Sequence, residues 1–446
     1  MRKNKVDIIT LGCSKNLVDS ELLMRQFQLN GYTVAHDADK VDGEIVVVNT
    51  CAFIGDAQEE SINMVLSLEE AKKQGRIGRL YVMGCLSERF LKDLKIEMPL
   101  VDQFYGKFNW KSLVEDIGKT YYPDHAADRV LTTPPHYTYL KISEGCNRTC
   151  AFCSIPLITG KYQSRTIEDI LAEVRHLTGK GVKEFQLVAQ DLTYYGLDFY
   201  KHDSILSSPL EKGRERGGLP ELVERISDIP GVEWIRLHYG YPAQFPYDLL
   251  RVMQERNNVC KYLDIALQHI SDPVLKRMRR NITGQETYDL IGRIRREVPG
   301  IHLRTTLMVG YPGETNSDFD ELIGFMKDIR FERLGAFAYS HESGTYAFKH
   351  FSDDIPDEIK QERLDYLMHV QEKISMESNM QKVGKKYRTI IDREESAYYV
   401  GRTEFDSPEV DPDVLITKDK ELTTGCFYEV KIENADVFEL FGSVLK

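Results

Sequence analysis

The sequence predicts an α/β protein in three parts: an N-terminal parallel-sheet α/β domain, a central partial (β/α)6 barrel, and a small antiparallel β-barrel at the C-terminus. Three observations lead there. Over residues 1–120, largely apolar strand-like runs alternate with helical patterns, as in a parallel sheet covered on both faces. Over residues 136–355, six further runs alternate with helical segments in the same way. After residue 384 helical periodicity gives way to short β-like runs separated by turns. The expected unit boundaries are 4–121, 132–377 and 380–446.

The first apolar run, residues 6–11, ends in Gly12-Cys13. Asp19 is expected to cap a helix carrying Leu22, Leu23 and Phe27 on one face, with Gly31 as its stop. The second run, 44–48, ends in Asn49-Thr50-Cys51, and a helix is expected over 59–73. The third, 80–83, ends in Gly84-Cys85. Cys13, Cys51 and Cys85 lie 38 and 34 residues apart, yet each stands just past the carboxyl end of a strand. In an open parallel sheet those ends share one edge, where ligands bind, so three distant thiols can converge. Three buried, inert cysteines are the plainer alternative. The recurrence of one position three times weighs against it.

Residues 121–135, with Pro123, Pro134 and Pro135 and little apolar periodicity, are expected to be a linker. The barrel strands are expected at 137–142, 184–189, 234–238, 262–267, 302–309 and 334–339, with helices such as 167–177, 221–226 and 318–329 between them. A full eight-stranded barrel is the alternative. Polar residues gather past the strand ends: Gln190-Asp191, Tyr239, Gln268-His269 and Gly310-Tyr311-Pro312-Gly313-Glu314. Active sites of such barrels lie on that face. Residues 203–218 lack periodicity and are expected to be a surface insertion. Residues 357–382 form a long polar helical pattern. The C-terminal runs fall at 387–391, 398–400, 414–416, 427–432 and 443–445.

The composition narrows the function. A chain of 446 residues has material for two to four domains, and 42% hydrophobic with 29% charged residues is an ordinary globular balance. No apolar run of about 18 residues exists, and the apolar run after the basic start is broken by Asp7 and too short for a signal peptide, so a cytoplasmic protein without a membrane span is expected. Eight cysteines are too sparse for a disulfide scaffold; in a reducing compartment clustered cysteines bind metal or do chemistry. A net charge of −12 argues against generic nucleic-acid binding. It suits a basic protein partner, or a solvated surface with no partner. Residues 380–446 carry ten Lys plus Arg against fourteen Asp plus Glu, a net of −4. Oligonucleotide-binding barrels are usually basic. Cys260 and Cys426 have no partner pattern and are expected to be structural.

Directly after the first barrel strand comes Ser143-Glu144-Gly145-Cys146-Asn147-Arg148-Thr149-Cys150-Ala151-Phe152-Cys153. Cys146, Cys150 and Cys153 stand in a C-x3-C-x2-C spacing. Three close thiolates can hold three irons of a cubane and leave the fourth open. Zinc is the alternative, but a structural zinc wants a fourth Cys or His, and none follows in this loop.

This motif, with an aromatic residue before its last cysteine, resembles that of the radical S-adenosylmethionine superfamily. A three-cysteine α/β domain, a radical barrel and a small TRAM-like barrel together resemble the methylthiotransferases across essentially the whole chain. The stretch Leu11-Gly12-Cys13-Ser14-Lys15-Asn16-Leu17-Val18-Asp19-Ser20-Glu21 is similar to the branch that modifies a ribosomal protein; the tRNA-modifying branch usually has Gln-Met-Asn in place of Ser14-Lys15-Asn16. The stretch from Gly401 to Asp411 also looks like that branch's form of TRAM. The resemblance implies two 4Fe-4S clusters, one on Cys13, Cys51 and Cys85 and one on Cys146, Cys150 and Cys153. S-Adenosylmethionine would be both radical source and methyl donor, with Gln190, Asp191, Gly310 and Glu314 lining its pocket. The implied substrate is an aspartate of small-subunit ribosomal protein S-twelve, free or in the ribosome, thiomethylated at its β-carbon. The implied electron donor is of the flavodoxin or ferredoxin kind. Two other readings are an adenosine in tRNA as substrate, and a non-catalytic iron–sulfur or zinc protein that binds the ribosome.

Overall fold

A computed structural model describes residues 1–125, 128–199 and 218–445. The expected insertion at 203–218 lies, apart from Gly218, outside the described residues.

The N-terminal sheet has five parallel strands in the order Thr33–His36, Arg2–Thr10, Gly43–Thr50, Arg79–Gly84, Gln103–Phe104. The three central ones are the expected apolar runs. Their residues are buried on both faces, Val46 and Val48 against Val65 and Leu68, Ile45 and Val47 against Leu23 and Phe27. The two edge strands are short and escape the apolar signal. Helix Ser14–Leu29 starts directly after Cys13, its N-cap residue. The expected cap at Asp19 is therefore wrong: this residue lies inside the helix, buried, where lysines neutralise it.

The central sheet is open, with six parallel strands in the order Arg333–Ala338, His302–Val309, Val259–Gln268, Trp234–Gly240, Glu184–Val188, Tyr137–Lys141. This is the partial barrel and not the eight-stranded one. Side chains alternate along each strand. Leu140, Leu187, Ile235, Leu263 and Leu303 join the core beneath the outer helices. The intervening positions line a polar lumen with Tyr139, Glu184, Arg236, Tyr262 and Arg304.

The C-terminal strands close a barrel in the order Lys386–Glu394, Tyr398–Thr403, Asp413–Thr417, Glu439–Val444, Phe427–Ala435. It is not wholly antiparallel: Asp413–Thr417 and Glu439–Val444 run the same way. A closed ring of five strands cannot alternate direction all round, so one pair must be parallel. The loop after Thr403 stoppers the polar lumen. Arg236 donates to the Glu404 carbonyl at 2.5 Å, Arg304 to Asp411 at 2.5 Å and Arg333 to Asp406 at 2.5 Å. Tyr137 and Tyr139 donate to Glu409 at 3.2 and 3.1 Å. Arg402 reaches Glu184 at 2.8 Å. These charge-assisted bonds keep the buried ions paired.

The segment expected as a linker is anchored. Arg129, buried, binds Glu21 at 2.5 Å, Glu173 at 2.9 Å and the Tyr139 carbonyl at 2.8 Å, and so ties the N-terminal domain to the barrel. Helix Asp357–Met380 follows the expected polar pattern. Cys260 is buried beside Trp234, Tyr262 and Ile390.

Candidate active site

Cys13, Cys51 and Cys85 come together at the carboxyl edge of the N-terminal sheet. Gly12 has φ +95°, and a Cβ there would stand 2.7 Å from Cys51 Cβ, so the chain before Cys13 lies directly on the Cys51 side chain. Asn16 fastens the three strand ends. Its amide donates to the Leu11 and Thr50 carbonyls at 3.0 Å each, and its Oδ1 accepts from the Cys85 thiol at 3.8 Å. Cys13 caps one helix, and Cys85 opens another, Cys85–Glu97. Both sulfurs thus sit at helix N-termini, where backbone N–H groups and the helix dipole favour a thiolate. Burial pushes the Cys13 thiol up, but Lys15, Lys107 and the N–H groups of Asn16 and Lys15 outweigh it and bring it below its ordinary value. Burial pushes Cys51 up, and a Cys13 charge adds to this. Burial pushes Cys85 up to about 12, with Cys13 and Cys51 charges adding. The three thiols therefore sense one another.

The second set forms on the loop after Tyr137–Lys141. Gly145, at φ +80°, lets this loop pass the Lys161 carbonyl, which a Cβ would approach to 2.1 Å. The Cys146 N–H donates to the Gly160 carbonyl at 3.1 Å and the Ala151 N–H to the Met278 carbonyl at 2.9 Å, so both ends of the loop are pinned. Burial pushes the Cys146 thiol up to about 11, while the Arg148 N–H, 3.4 Å from its sulfur, acts against it. Burial also raises Cys153, and charge on Cys150 and Cys146 raises it further. Arg280 donates to Cys150 Sγ at 3.2 Å. Arg148 is no free surface charge: it binds Asp191 at 2.7 Å and lies 4.1 Å from the Tyr241 ring centre, with Arg280 at 4.2 Å. Arg280 and Tyr241 leave no signal in the sequence, being remote from the cysteines and carrying no motif.

The two sets meet at one interface. Ser154, next to Cys153, donates to the carbonyl of Phe53, two residues past Cys51, at 3.2 Å. Arg89 binds Glu342 at 2.9 Å and the Ser343 carbonyl at 2.7 Å. A buried relay also crosses it. Asp19 pairs with Lys141 and, at 3.3 Å, with Lys107; Glu144 pairs with the same two lysines and accepts from Gln190 at 3.0 Å.

Among the described residues, no three His, Cys, Asp or Glu side chains converge tightly enough for a single metal ion. A cubane needs no such convergence, since it takes each thiolate on a separate iron. The donor sets, all thiol and each of three, fit such clusters. Gln190 Oε1, Gln268 Oε1 and Arg148 Nη2 are buried without a partner around the cysteine loop, polar groups that suit a bound cofactor. Gln268 is held at φ +75°. His269 is packed, its Nδ1 accepting from the Ser271 N–H at 3.1 Å. Gly310 and Glu314 pack against helix Asp357–Met380. Gly310 abuts Lys360, and Glu314 is buried against Arg363 at 2.9 Å. Burial pushes the Glu314 carboxyl up to about 7 despite Arg363.

Known proteins carry the same parts. Residues 140–326 match the Radical SAM superfamily, residues 383–445 the TRAM domain, and residues 5–106 the "Uncharacterized protein family UPF0004". A protein of Parabacteroides distasonis named ribosomal protein uS12 methylthiotransferase RimO is 70% identical over 445 residues, covering 100% of both chains. The chain belongs to the RimO family. A RimO protein of Porphyromonas gingivalis is 63% identical, and one of Bacteroides fragilis 60% identical, each over 100% of both chains. The fold of this chain is also similar to that of the Kitasatospora setae radical S-adenosylmethionine methyltransferase TsrM. That structure has a TM-score of 0.53 and 13% identity, covering 75% of this chain and 72% of that one, a likeness of fold alone.

Proposed function

We propose that this chain is a radical S-adenosylmethionine methylthiotransferase that thiomethylates the β-carbon of an aspartate in ribosomal protein uS12. The observation that carries the proposal is the meeting of two three-thiol sets at one interface, in a chain 70% identical to a RimO protein. Cys146, Cys150 and Cys153 hold one 4Fe-4S cluster, and Cys13, Cys51 and Cys85 the other. When bound, the first supplies one-electron cleavage of S-adenosylmethionine and the second holds the sulfur to be inserted. Arg280 and the Arg148 N–H steady the sulfurs of the first set. Gln190, Asp191, Gly310 and Glu314 line the S-adenosylmethionine pocket. The Asp19–Lys141–Glu144–Lys107 relay keeps the two sets in register. The working units are 4–121, 132–377 and 380–446. An electron donor of the flavodoxin or ferredoxin kind and a cytoplasmic setting complete the reading. No helix among the described residues is long and apolar enough to cross a membrane.

Anaerobic reconstitution tests this reading: about eight irons per chain are expected, falling to about four in Cys150→Ala, with loss of S-adenosylmethionine cleavage. Four irons in the unaltered protein, or stoichiometric zinc, defeats it. Mass spectrometry of uS12 and tRNA from a deletion strain tests the substrate. Loss of methylthio-adenosine with unaltered uS12 assigns tRNA instead.

A further inference from the structure

We propose that Lys15 binds the side-chain carboxylate of the substrate aspartate; the inference rests on the substrate reading above and deepens it. Lys15 is the second residue of helix Ser14–Leu29 and stands two residues past Cys13. It is only 8% exposed. Among the described residues no carboxylate lies within ion-pair distance of its ammonium. The ammonium sits 3.5 Å from the ring centre of Tyr239, at the mouth of the barrel. Tyr239 is held at φ +61°. The neighbouring lysines are different: Lys107 and Lys141 are each closed off by both Asp19 and Glu144.

A buried ammonium without a counter-ion is unfavourable, and the face of a tyrosine ring offsets only part of that. Cys13 and the buried Asp264, whose carboxylate accepts from the Tyr239 N–H at 3.3 Å, act on this ammonium through space without pairing with it directly, so it keeps the capacity for one direct anionic partner. Position identifies that anion. Lys15 follows Cys13 by two residues and reaches Tyr239 at the carboxyl end of strand Trp234–Gly240, the barrel face that also carries the loop of Cys146, Cys150 and Cys153. In aspartate the β-carbon is bonded directly to the carboxyl carbon. A cation on the carboxylate therefore fixes the reacting C–H one bond away, and it does so for aspartate and not for asparagine or an adenine. Charge on the thiolates is the competing claim on Lys15. It predicts an equal effect on every substrate.

The test is equilibrium binding of two fluorescent peptides to the full-length, iron-loaded enzyme without S-adenosylmethionine, so that no turnover occurs. One peptide carries the uS12 segment that contains the aspartate, the other the same segment with asparagine. Wild type is expected to favour the aspartate peptide by on the order of tenfold or more, as for a charge-assisted hydrogen bond. Lys15→Gln is expected to bind both peptides alike with its iron retained, and Lys15→Arg to keep most of the preference. The proposal is overturned if Lys15→Gln keeps the wild-type ratio, if it weakens both peptides equally, or if it loses iron while Lys15→Arg does not. Failure of wild type to bind either peptide defeats the substrate reading itself. Wild-type binding without preference defeats only the role of Lys15.

Discussion

Replacing Asp19 with asparagine tests whether the relay across the interface holds the two domains together. Asp19 is 7% exposed, Lys107 4% and Lys141 10%, and the Asp19–Lys107 pair stands at 3.3 Å. Asparagine keeps the size and removes the charge. At an effective dielectric constant of about 20, one such pair attracts by roughly 5 kcal/mol before desolvation is subtracted. Breaking a buried pair from one side costs about 3–5 kcal/mol, because the other charge stays behind. Glu144 still contacts both lysines, so the low end applies, about 3 kcal/mol. For a cooperative unit of about 150–250 residues this lowers the melting temperature by roughly 6–12 °C. Differential scanning calorimetry of Asp19→Asn and wild type, both free of iron, measures it on the first transition. An exposed pair supplies the control: Arg393 and Asp413, at 51% and 27% exposure, should yield under about 1 kcal/mol in Arg393→Ala. A shift for Asp19→Asn no larger than that of Arg393→Ala refutes the reasoning.

Glu314 predicts a pH dependence. Burial raises its folded value to about 7, whereas an unfolded glutamate titrates near 4.3. The folded state holds the proton more tightly, so stability present at low pH is lost as pH rises through about 7. Denaturation at about pH 5 and pH 8 should show wild type weaker at the higher pH by up to roughly 3 kcal/mol, and Glu314→Gln should flatten that difference; an unchanged slope in the variant counts against it. Gly145→Ala should cost about 1–2 kcal/mol from the left-handed backbone alone, and more from the Lys161 carbonyl at 2.1 Å. Iron should fall from about eight to about four per chain, while Gly118→Ala, at φ +76° with open space around it, should keep its iron; equal iron in the two variants contradicts the steric account.

Much of the architecture could be read from the chain because strands buried on both faces leave continuous apolar runs, as at Ile45 to Val48. Cys13, Cys51 and Cys85 could be matched to one edge because parallel strands place their carboxyl ends on the same side. The edge strands Thr33–His36 and Gln103–Phe104 left no such trace, being two to four residues long. Asp19 was misread because a buried carboxylate and a helix cap look alike until the lysines that face it, 88 and 122 residues away, are known. The lumen residues Glu184, Arg236 and Arg304 resemble surface charges in sequence. Their burial depends on a loop from a different domain.

That loop sets a limit on how this protein can change. Because Glu404, Asp406, Glu409 and Asp411 complete the floor of the catalytic barrel, the C-terminal module is a keystone as well as an appendage. A graft that exchanged residues 380–446 for another small barrel would leave Arg236, Arg304 and Arg333 facing an open shaft, admitting water to the base of a chamber meant for radicals. The inward-facing loop is tied to the barrel and must evolve in step with it.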